Sequence, residues 1–176
     1  ENLKLVTYVR TPEHPDWQVL NSGNLSNAEI TPLGFSNDNS QVYLSSSENG
    51  DRRCLVRQNL SSGLRTTLSC DDIADLSRVV WSFDGNEPVA AVYQSGRPEL
   101  RLLDTQNPAR GTVQALQAAF PGQEAEPISH SRDGRYSIVM VYSDRNPGDY
   151  YLFDTSTNHA QYLISMRSWI DPSQMA

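Results

Sequence analysis

Residues 146–154 read Asn-Pro-Gly-Asp-Tyr-Tyr-Leu-Phe-Asp, a tight turn followed by an aromatic strand that ends on an aspartate. Two earlier stretches have the same form. Residues 96–104 read Gly-Arg-Pro-Glu-Leu-Arg-Leu-Leu-Asp, and residues 50–59 give a looser copy that ends on Asn59. Each copy lies downstream of a Ser-x-Asp turn. This recurrence predicts one supersecondary unit used several times along the chain.

The turn aspartates Asp38, Asp84 and Asp133 set the period of the repeat, because they lie 46 and 49 residues apart. Each has a short serine-bearing strand before it. After it come an apolar strand, a glycine turn, a third strand and a fourth strand. The fourth strands are predicted at 64–68, 112–116 and 159–164. Four short strands in each period of this length are typical of a β-propeller blade.

We therefore predict an all-β fold of about three four-stranded antiparallel propeller blades plus a partial one, in an incomplete ring. A four-stranded sheet cannot bury both of its faces alone, whereas stacked blades bury each other's faces. A β-sandwich is the competing architecture, but it would not repeat its landmarks at the same offsets. Short helical turns are predicted only between blades, at 71–76 and 114–120.

The repeat divides the chain into segments. Residues 1–31 are the remnant of a preceding blade, and the ranges 32–70, 71–116 and 117–165 are one blade each. Three blades and a half are fewer than the ~4–8 of ordinary propellers. The end blades are then expected to have open apolar faces, which predicts either self-association through those faces or a rearrangement that covers them.

Composition narrows the class of protein. Of the 176 residues, 38% are hydrophobic and 20% are charged, which is the balance of a globular domain. The net charge of −7 argues against a nucleic-acid partner, since phosphate binding requires a basic face. No apolar run approaches the ~20 residues of a membrane span, so no membrane association is expected. The sequence does not distinguish a cytoplasmic from a periplasmic location.

The two cysteines, Cys54 and Cys70, bracket a predicted hairpin whose turn is Ser-Ser-Gly at 61–63. Pairing Asn59 with Leu64 places Cys54 opposite Ser69, one residue from Cys70. A disulfide is therefore reachable if the strand ends twist or bulge. The alternative is a pair of reduced cysteines in a cytosolic protein. The spacing matches no zinc pattern, and no metal or cofactor is expected.

Three stretches carry a resemblance to a known family. They are residues 141–154 (Val-Tyr-Ser-Asp-Arg-Asn-Pro-Gly-Asp-Tyr-Tyr-Leu-Phe-Asp), residues 169–176 (Trp-Ile-Asp-Pro-Ser-Gln-Met-Ala), and residues 32–36 (Pro-Leu-Gly-Phe-Ser) followed by 42–46 (Val-Tyr-Leu-Ser-Ser). These stretches resemble the propeller that precedes the catalytic domain in the prolyl oligopeptidase family of serine peptidases. The resemblance implies the C-terminal part of that N-terminal propeller, truncated before the hydrolase domain.

The same resemblance implies the function and the partners. Residues 166–176 would be a linker toward a catalytic domain that this chain lacks. The segment would be non-catalytic and would gate or position peptide substrates. Its partners would be the α/β-hydrolase domain of the same parent chain and the peptide that the parent enzyme cleaves.

No catalytic residue is predicted in the chain itself. A nucleophile elbow requires Gly-x-Ser-x-Gly, and no two glycines here are four residues apart. Residues 34–38 begin this pattern and lack its last glycine. The βαβ alternation that would house a catalytic triad is also missing.

Three residues are candidates for substrate contact. Arg132 and Arg145 lie near turns, where a guanidinium could meet a peptide carboxylate, or where both arginines are simply solvated. His130 lies on a predicted first strand, where it would line a central channel or pack as an ordinary histidine.

Two other functions stay open from the sequence. One is a propeller that serves only as a binding or scaffold module for protein–protein interaction and has no hydrolase partner domain. The other is a propeller enzyme acting on acidic polysaccharide, which would need a histidine cluster and a metal in its channel. Only His130 is a candidate for such a cluster.

Overall fold

The computed structural model describes residues 4–24, 30–48 and 50–175. It contains thirteen described strands and one described α-helix. The strands are β1 (Lys4–Val9), β2 (Gln18–Asn24), β3 (Ile30–Phe35), β4 (Gln41–Ser46), β5 (Cys54–Asn59), β6 (Arg65–Ser69), β7 (Leu76–Trp81), β8 (Pro88–Gln94), β9 (Pro98–Leu102), β10 (Glu124–His130), β11 (Tyr136–Ser143), β12 (Asn146–Asp154) and β13 (His159–Ser165). The helix α1 is Ala109–Ala119, and a short 3₁₀ helix is Pro172–Gln174.

These strands form four antiparallel sheets, each with its strands in sequence order. The sheets are β1–β2, β3–β6, β7–β9 and β10–β13. A simple meander of short strands joined by tight turns is the topology of a propeller blade. The predicted all-β, blade-based fold is therefore confirmed.

The chain divides into two compact units. The first comprises residues 1–80 and 86–103, and the second comprises residues 81–85 and 104–176.

In the first unit, the sheet β3–β6 is covered on both faces. Alternate side chains of a strand point to opposite faces, and the core clusters follow this alternation. One cluster joins Val42, Leu44 and Val56 to Leu20 of the hairpin β1–β2. The opposite cluster joins Leu55 to residues in and around β7–β9: Ala74, Leu76, Ala91, Tyr93 and Leu103. Sheets thus stack face to face inside this unit.

In the second unit, the core lies between α1 and one face of β10–β13. Leu116 and Phe120 pack there against Val139, Val141 and Phe153. All five side chains are at most 8% exposed. Burying aliphatic and aromatic side chains of this size contributes about 1.5–3 kcal/mol each.

The predicted fourth strand at 112–116 is wrong, because this segment lies inside α1. The sheet β7–β9 consequently has three strands. Alanine, glutamine and leucine favour helix, and the buried positions Ala109, Thr112, Val113 and Leu116 recur at helical spacing. The helical turns predicted at 114–120 thus belong to a helix that begins five residues earlier. A proline and a glycine, residues 121–122, follow its end.

The helical turn predicted at 71–76 is also wrong. The Oδ1 atom of Asp71 accepts hydrogen bonds from the backbone N–H groups of Ile73 and Ala74, both at 2.7 Å. These bonds hold an irregular turn that leads into β7. Among the described residues, no helix has the length and apolarity to cross a membrane.

Candidate functional site

The Ser-x-Asp turns that define the repeat share one side-chain geometry. In each, the serine hydroxyl donates a hydrogen bond to Oδ1 of the aspartate two residues later. The three pairs are Ser36–Asp38 at 2.6 Å, Ser82–Asp84 at 2.5 Å and Ser131–Asp133 at 2.6 Å. A reverse turn accompanies each pair. The serine carbonyl accepts a 2.9 Å hydrogen bond from the backbone N–H of the residue three positions later. That residue is Asn39, Gly85 or Gly134, and it has positive φ in each turn.

The turn of the last sheet borders a cleft of about 700 Å³ within the second unit. The cleft lies among Phe83, the start of α1, the Asp133–Arg135 segment and the turn after Asp154. Loops and turns held on a rigid sheet are the usual place for binding residues. We therefore take this cleft as the candidate site.

Phe83 supplies an aromatic wall of the cleft. Its ring lies so close to Gly134 that a Cβ atom there would be 2.9 Å from Cδ2 of Phe83. The Phe83 ring also contacts the ring of His130. Their ring centres are 5.4 Å apart, and the ring planes are inclined at 55°. The structure thus places His130 beside the cleft in an aromatic contact.

Charge in the cleft is arranged around Arg135. Its Nη2 lies 3.4 Å from Oδ2 of Asp154, and its guanidinium lies over the ring of Tyr136. The Ser131 hydroxyl lowers the pKa of Asp133, and the Arg135 backbone N–H adds to this effect. The Ser156 hydroxyl likewise holds the pKa of Asp154 below its usual value. Both carboxylates are therefore ionised at neutral pH and act as acceptors, not as general acids.

The three predicted contact residues do not come together. His130 and Arg132 lie at the end of the sheet where β10 meets β11, and both are exposed. Arg145 lies in the turn between β11 and β12, at the opposite end of β11. That strand has eight residues, a length of roughly 26 Å. One small ligand therefore cannot contact Arg145 and the other two residues at once.

Cys54 and Cys70 form a disulfide in the structure, with their Cα atoms 4.5 Å apart. The predicted register here is wrong by one residue, because Leu55, not Cys54, lies opposite Ser69. A bulge between Leu55 and Val56 causes the shift. The same shift places Cys70 opposite Cys54.

Sequence reasoning missed the cleft itself. Its wall depends on the start of α1, which includes part of the segment 112–116 predicted as a strand, and on the contact of Phe83 with Gly134. The signal that was available is the phenylalanine inside the second Ser-x-Asp turn, at residue 83. Across the described ranges, no group of three or more His, Cys, Asp or Glu side chains is placed to hold a metal ion.

No protein-family model matches the chain, and no curated protein matches it. Solved structures do match. One is a prolyl endopeptidase, from work on inter-domain dynamics in catalysis and specificity, with a TM-score of 0.61, 15% identity and 96% of this chain covered. Another is TolB from Acinetobacter baumannii, with a TM-score of 0.50, 17% identity and 92% of this chain covered.

At these identities the likeness shows the fold alone. The chain spans 24% of the prolyl endopeptidase chain and 38% of the TolB chain. The meander sheets, the repeated turns and these neighbours together define the class: the chain is a β-propeller module.

Proposed function

We propose that this module is a non-catalytic propeller segment of a prolyl-oligopeptidase-like serine peptidase. It would gate or position peptide substrates for an α/β-hydrolase domain of the same parent chain. The observation that carries the proposal is the likeness to the prolyl endopeptidase, which extends over 96% of this chain but only 24% of that one. Nearly complete coverage of this chain with only partial coverage of the other is what one segment of a larger multidomain enzyme would give.

Stacked sheets are suited to gating because they are rigid. Leu55 and Ala91, which lie between the stacked sheets of the first unit, are fully buried, and close-packed interiors resist deformation. Such a scaffold keeps the turns at its ends in fixed positions. A folded protein would then be excluded from a hydrolase site behind the scaffold, while a short peptide could reach it.

We assign peptide contact to the end of the last sheet that carries the cleft. Arg132 is exposed in the turn there, with its guanidinium available for a carboxylate. Phe83 and the neighbouring polar turns offer one apolar and several hydrogen-bonding surfaces. Arg145, at the other end of the sheet, would then take no part in the same contact.

The test uses an antibody against residues 1–176 and a lysate of the source organism treated with a tagged fluorophosphonate, which labels active serine hydrolases. The proposal expects the antibody to capture a protein several times larger than 19.7 kDa that carries the tag. Proteolysis of the captured protein should place the tag outside the 176 residues. A large captured protein without the tag would contradict the peptidase assignment.

A second candidate is a propeller that serves as a binding or scaffold module for protein–protein interaction and has no hydrolase domain. The likeness to the TolB structure, over 92% of this chain, supports the propeller fold that both candidates share. The same capture experiment separates the two candidates. An unlabelled large protein that brings down stoichiometric partners would support the binding module.

A further inference from the structure

The sheet β7–β9 lacks the fourth strand that the two complete blades have. In β3–β6 and in β10–β13, the fourth strand runs antiparallel beside the third. In β7–β9 the order ends at β9, and the residues that follow it in sequence lead into α1. Within the described ranges, β8 is therefore the only strand that pairs with β9.

The side chains of β9 also have the exposure of an edge strand. In the complete blade β3–β6, the third strand β5 has buried residues at Cys54, Leu55, Val56 and Gln58. The fourth strand β6, which forms the edge of that blade, has none. None of the five residues of β9 is buried either, although β9 is the third strand of its blade.

The register of β8 and β9 shows which backbone groups of β9 point away from its partner. The N–H of Leu103 donates a 2.9 Å hydrogen bond to the carbonyl of Val89. In an antiparallel pair, successive residues direct their backbone groups alternately toward and away from the partner strand. Leu102 and Leu100 therefore present both N–H and C=O on the outer side, and Pro98 presents a C=O alone. We call this row of backbone groups the β9 edge.

We infer that the β9 edge binds an extended peptide, which adds to the sheet as its fourth strand. Unpaired strand edges recognise extended peptides through main-chain hydrogen bonds. The complete blade β3–β6 gives the template, since its fourth strand β6 has five residues and lies antiparallel to β5. A peptide of about five residues would span β9 in the same way. This inference rests on the fold and does not depend on the peptidase assignment.

The side chains of β9 define which peptide fits. Residues directly opposite each other in antiparallel strands share a face, so peptide residues opposite Leu100 and Leu102 should be apolar. The residue between them lies on the face of Arg101 and Glu99. Arg101 is already paired with Asp71 and Glu99, so these three side chains together carry a net negative charge. A basic residue therefore fits at this position, and the peptide alternates apolar and basic residues.

A second copy of this chain fits the β9 edge less well than a basic peptide. Each copy has a net charge of −7, which repels another copy and attracts a basic ligand. The edge of a second copy would also bring its own Pro98, which has no N–H to donate. Proline and charged residues on an edge strand are common protections against pairing between identical edges.

The experiment titrates the 176-residue chain into a fluorescein-labelled peptide, Thr-Val-Lys-Val-Lys-Val-Thr, and follows fluorescence anisotropy. Saturable binding is expected, and it should weaken as salt screens the attraction between the basic peptide and the acidic chain. No binding at millimolar protein concentration would overturn the inference. Dimers of the chain that form without peptide and protect the amides of Leu100 and Leu102 from exchange would overturn the choice of occupant.

Methylation of the peptide backbone tests strand pairing with the unmodified protein. When the valines lie opposite Leu100 and Leu102, their N–H groups point toward β9 and those of the lysines point away. N-methylation of two valines should weaken binding about tenfold or more, because it removes two hydrogen bonds between the strands. The matched control is N-methylation of the two lysines, which leaves those bonds intact. Equal losses of affinity in the two peptides would overturn strand addition.

Two variants and one exchange measurement locate the site on the protein. Leu100→Pro removes an outward N–H without removing a bond to β8, and it should weaken binding about tenfold. Leu100→Val keeps this N–H and an apolar side chain, so it should bind like the unmodified chain. Circular dichroism would verify folding of both variants.

Hydrogen exchange followed by NMR on the unmodified chain gives a readout that needs no variant. Bound peptide should slow exchange of the amides of Leu100 and Leu102, since both would become hydrogen-bonded. Slowed exchange in β6 or β13, with these two amides unchanged, would overturn the assignment of the peptide to the β9 edge.

Discussion

The hydroxyl of Ser131 donates a 2.6 Å hydrogen bond to Oδ1 of Asp133, and the same atom of Asp133 accepts the backbone N–H of Arg135 at 3.1 Å. The first sheet of the repeat has the same arrangement, in which Asp38 accepts the N–H of Ser40 at 3.0 Å. The aspartate thus satisfies the backbone of its own turn. Because the bond requires an ionised acceptor for full strength, the stability of the fold depends on pH.

Acid should destabilise the chain through these turns. The Ser36 hydroxyl and the Ser40 N–H lower the pKa of Asp38 to about 2, and the pKa values of Asp133 and Asp154 are also lowered. A depressed folded-state pKa gives stability that is present above the unfolded value of about 3.9 and is lost as pH falls through the folded value. Urea unfolding between pH 7 and pH 2 should show this loss.

Two asparagine variants test whether the aspartate of the turn causes the loss of stability in acid. Asp38→Asn should lower stability at pH 7 and reduce its dependence on pH below about 4. Asp16→Asn is the control, since the Asp16 side chain is exposed and accepts no hydrogen bond within the part of the chain that the structure describes. Equal pH dependence in both variants would contradict a role for the turn.

A methyl group at Gly134 should lower the free energy of unfolding more than a methyl group at Gly85. Both glycines occupy the same position of the repeat with φ of +70° and +73°, so both alanine variants incur backbone strain of about 1 kcal/mol. Only at Gly134 does the new Cβ meet Phe83, at 2.9 Å, whereas nothing lies within 4 Å at Gly85. Chemical denaturation of Gly134→Ala and Gly85→Ala gives the comparison. Equal losses of stability would show that Phe83 does not contact the turn.

Truncating Leu55 should cost much of the stability of the first unit. The side chain is fully buried between two stacked sheets, and a leucine-to-alanine change in such a core costs about 2–5 kcal/mol. Leu64 is 67% exposed, so Leu64→Ala should change the free energy of unfolding by less than about 0.5 kcal/mol. A small effect of Leu55→Ala would mean that β3–β6 and β7–β9 do not stack.

The disulfide should contribute stability by restricting the unfolded chain. The bond closes a loop with a sequence separation of 16, for which loop-closure entropy gives about 3 kcal/mol. Cys54→Ser and Cys70→Ser should each lower stability by about this amount, and the double variant should lose no more than either. Reducing the disulfide of the unmodified chain should lower its stability to that of the cysteine variants. Two free thiols in the purified oxidised protein would contradict the bond.

The sequence predicted the parts of the fold that depend on local pattern. Ser-x-Asp turns and alternating apolar strands are recognisable within a few residues, and their recurrence identifies the blades. The helix α1 was only partly anticipated because Thr112, Val113 and Leu116 suit a strand as well as a helix. Its burial on Val139 and Phe153 decides between them, and that contact is invisible in the local sequence.

The candidate site was the least predictable feature. Arg132 and Arg145 look alike in the sequence, since each lies near a turn, but the meander places them at opposite ends of β11. The bulge at Leu55 and Val56 that aligns the two cysteines arises from strand pairing. The contact between Phe83 and Gly134 joins residues about one repeat apart, and the sequence marks it only by the phenylalanine inside the second Ser-x-Asp turn.

Hydrogen exchange followed by mass spectrometry, on the dilute 176-residue chain, can test the packing of each blade strand by strand. Inner strands flanked on both sides and packed on a core should exchange slowest, which applies to β4, β5, β11 and β12. The strand β8 belongs with them, since Val89 and Ala90 are fully buried. The edge strands β1 and β13 should exchange fastest. Exchange as rapid in β8 and β11 as in β13 would contradict blades whose inner strands are paired on both sides and packed on a core.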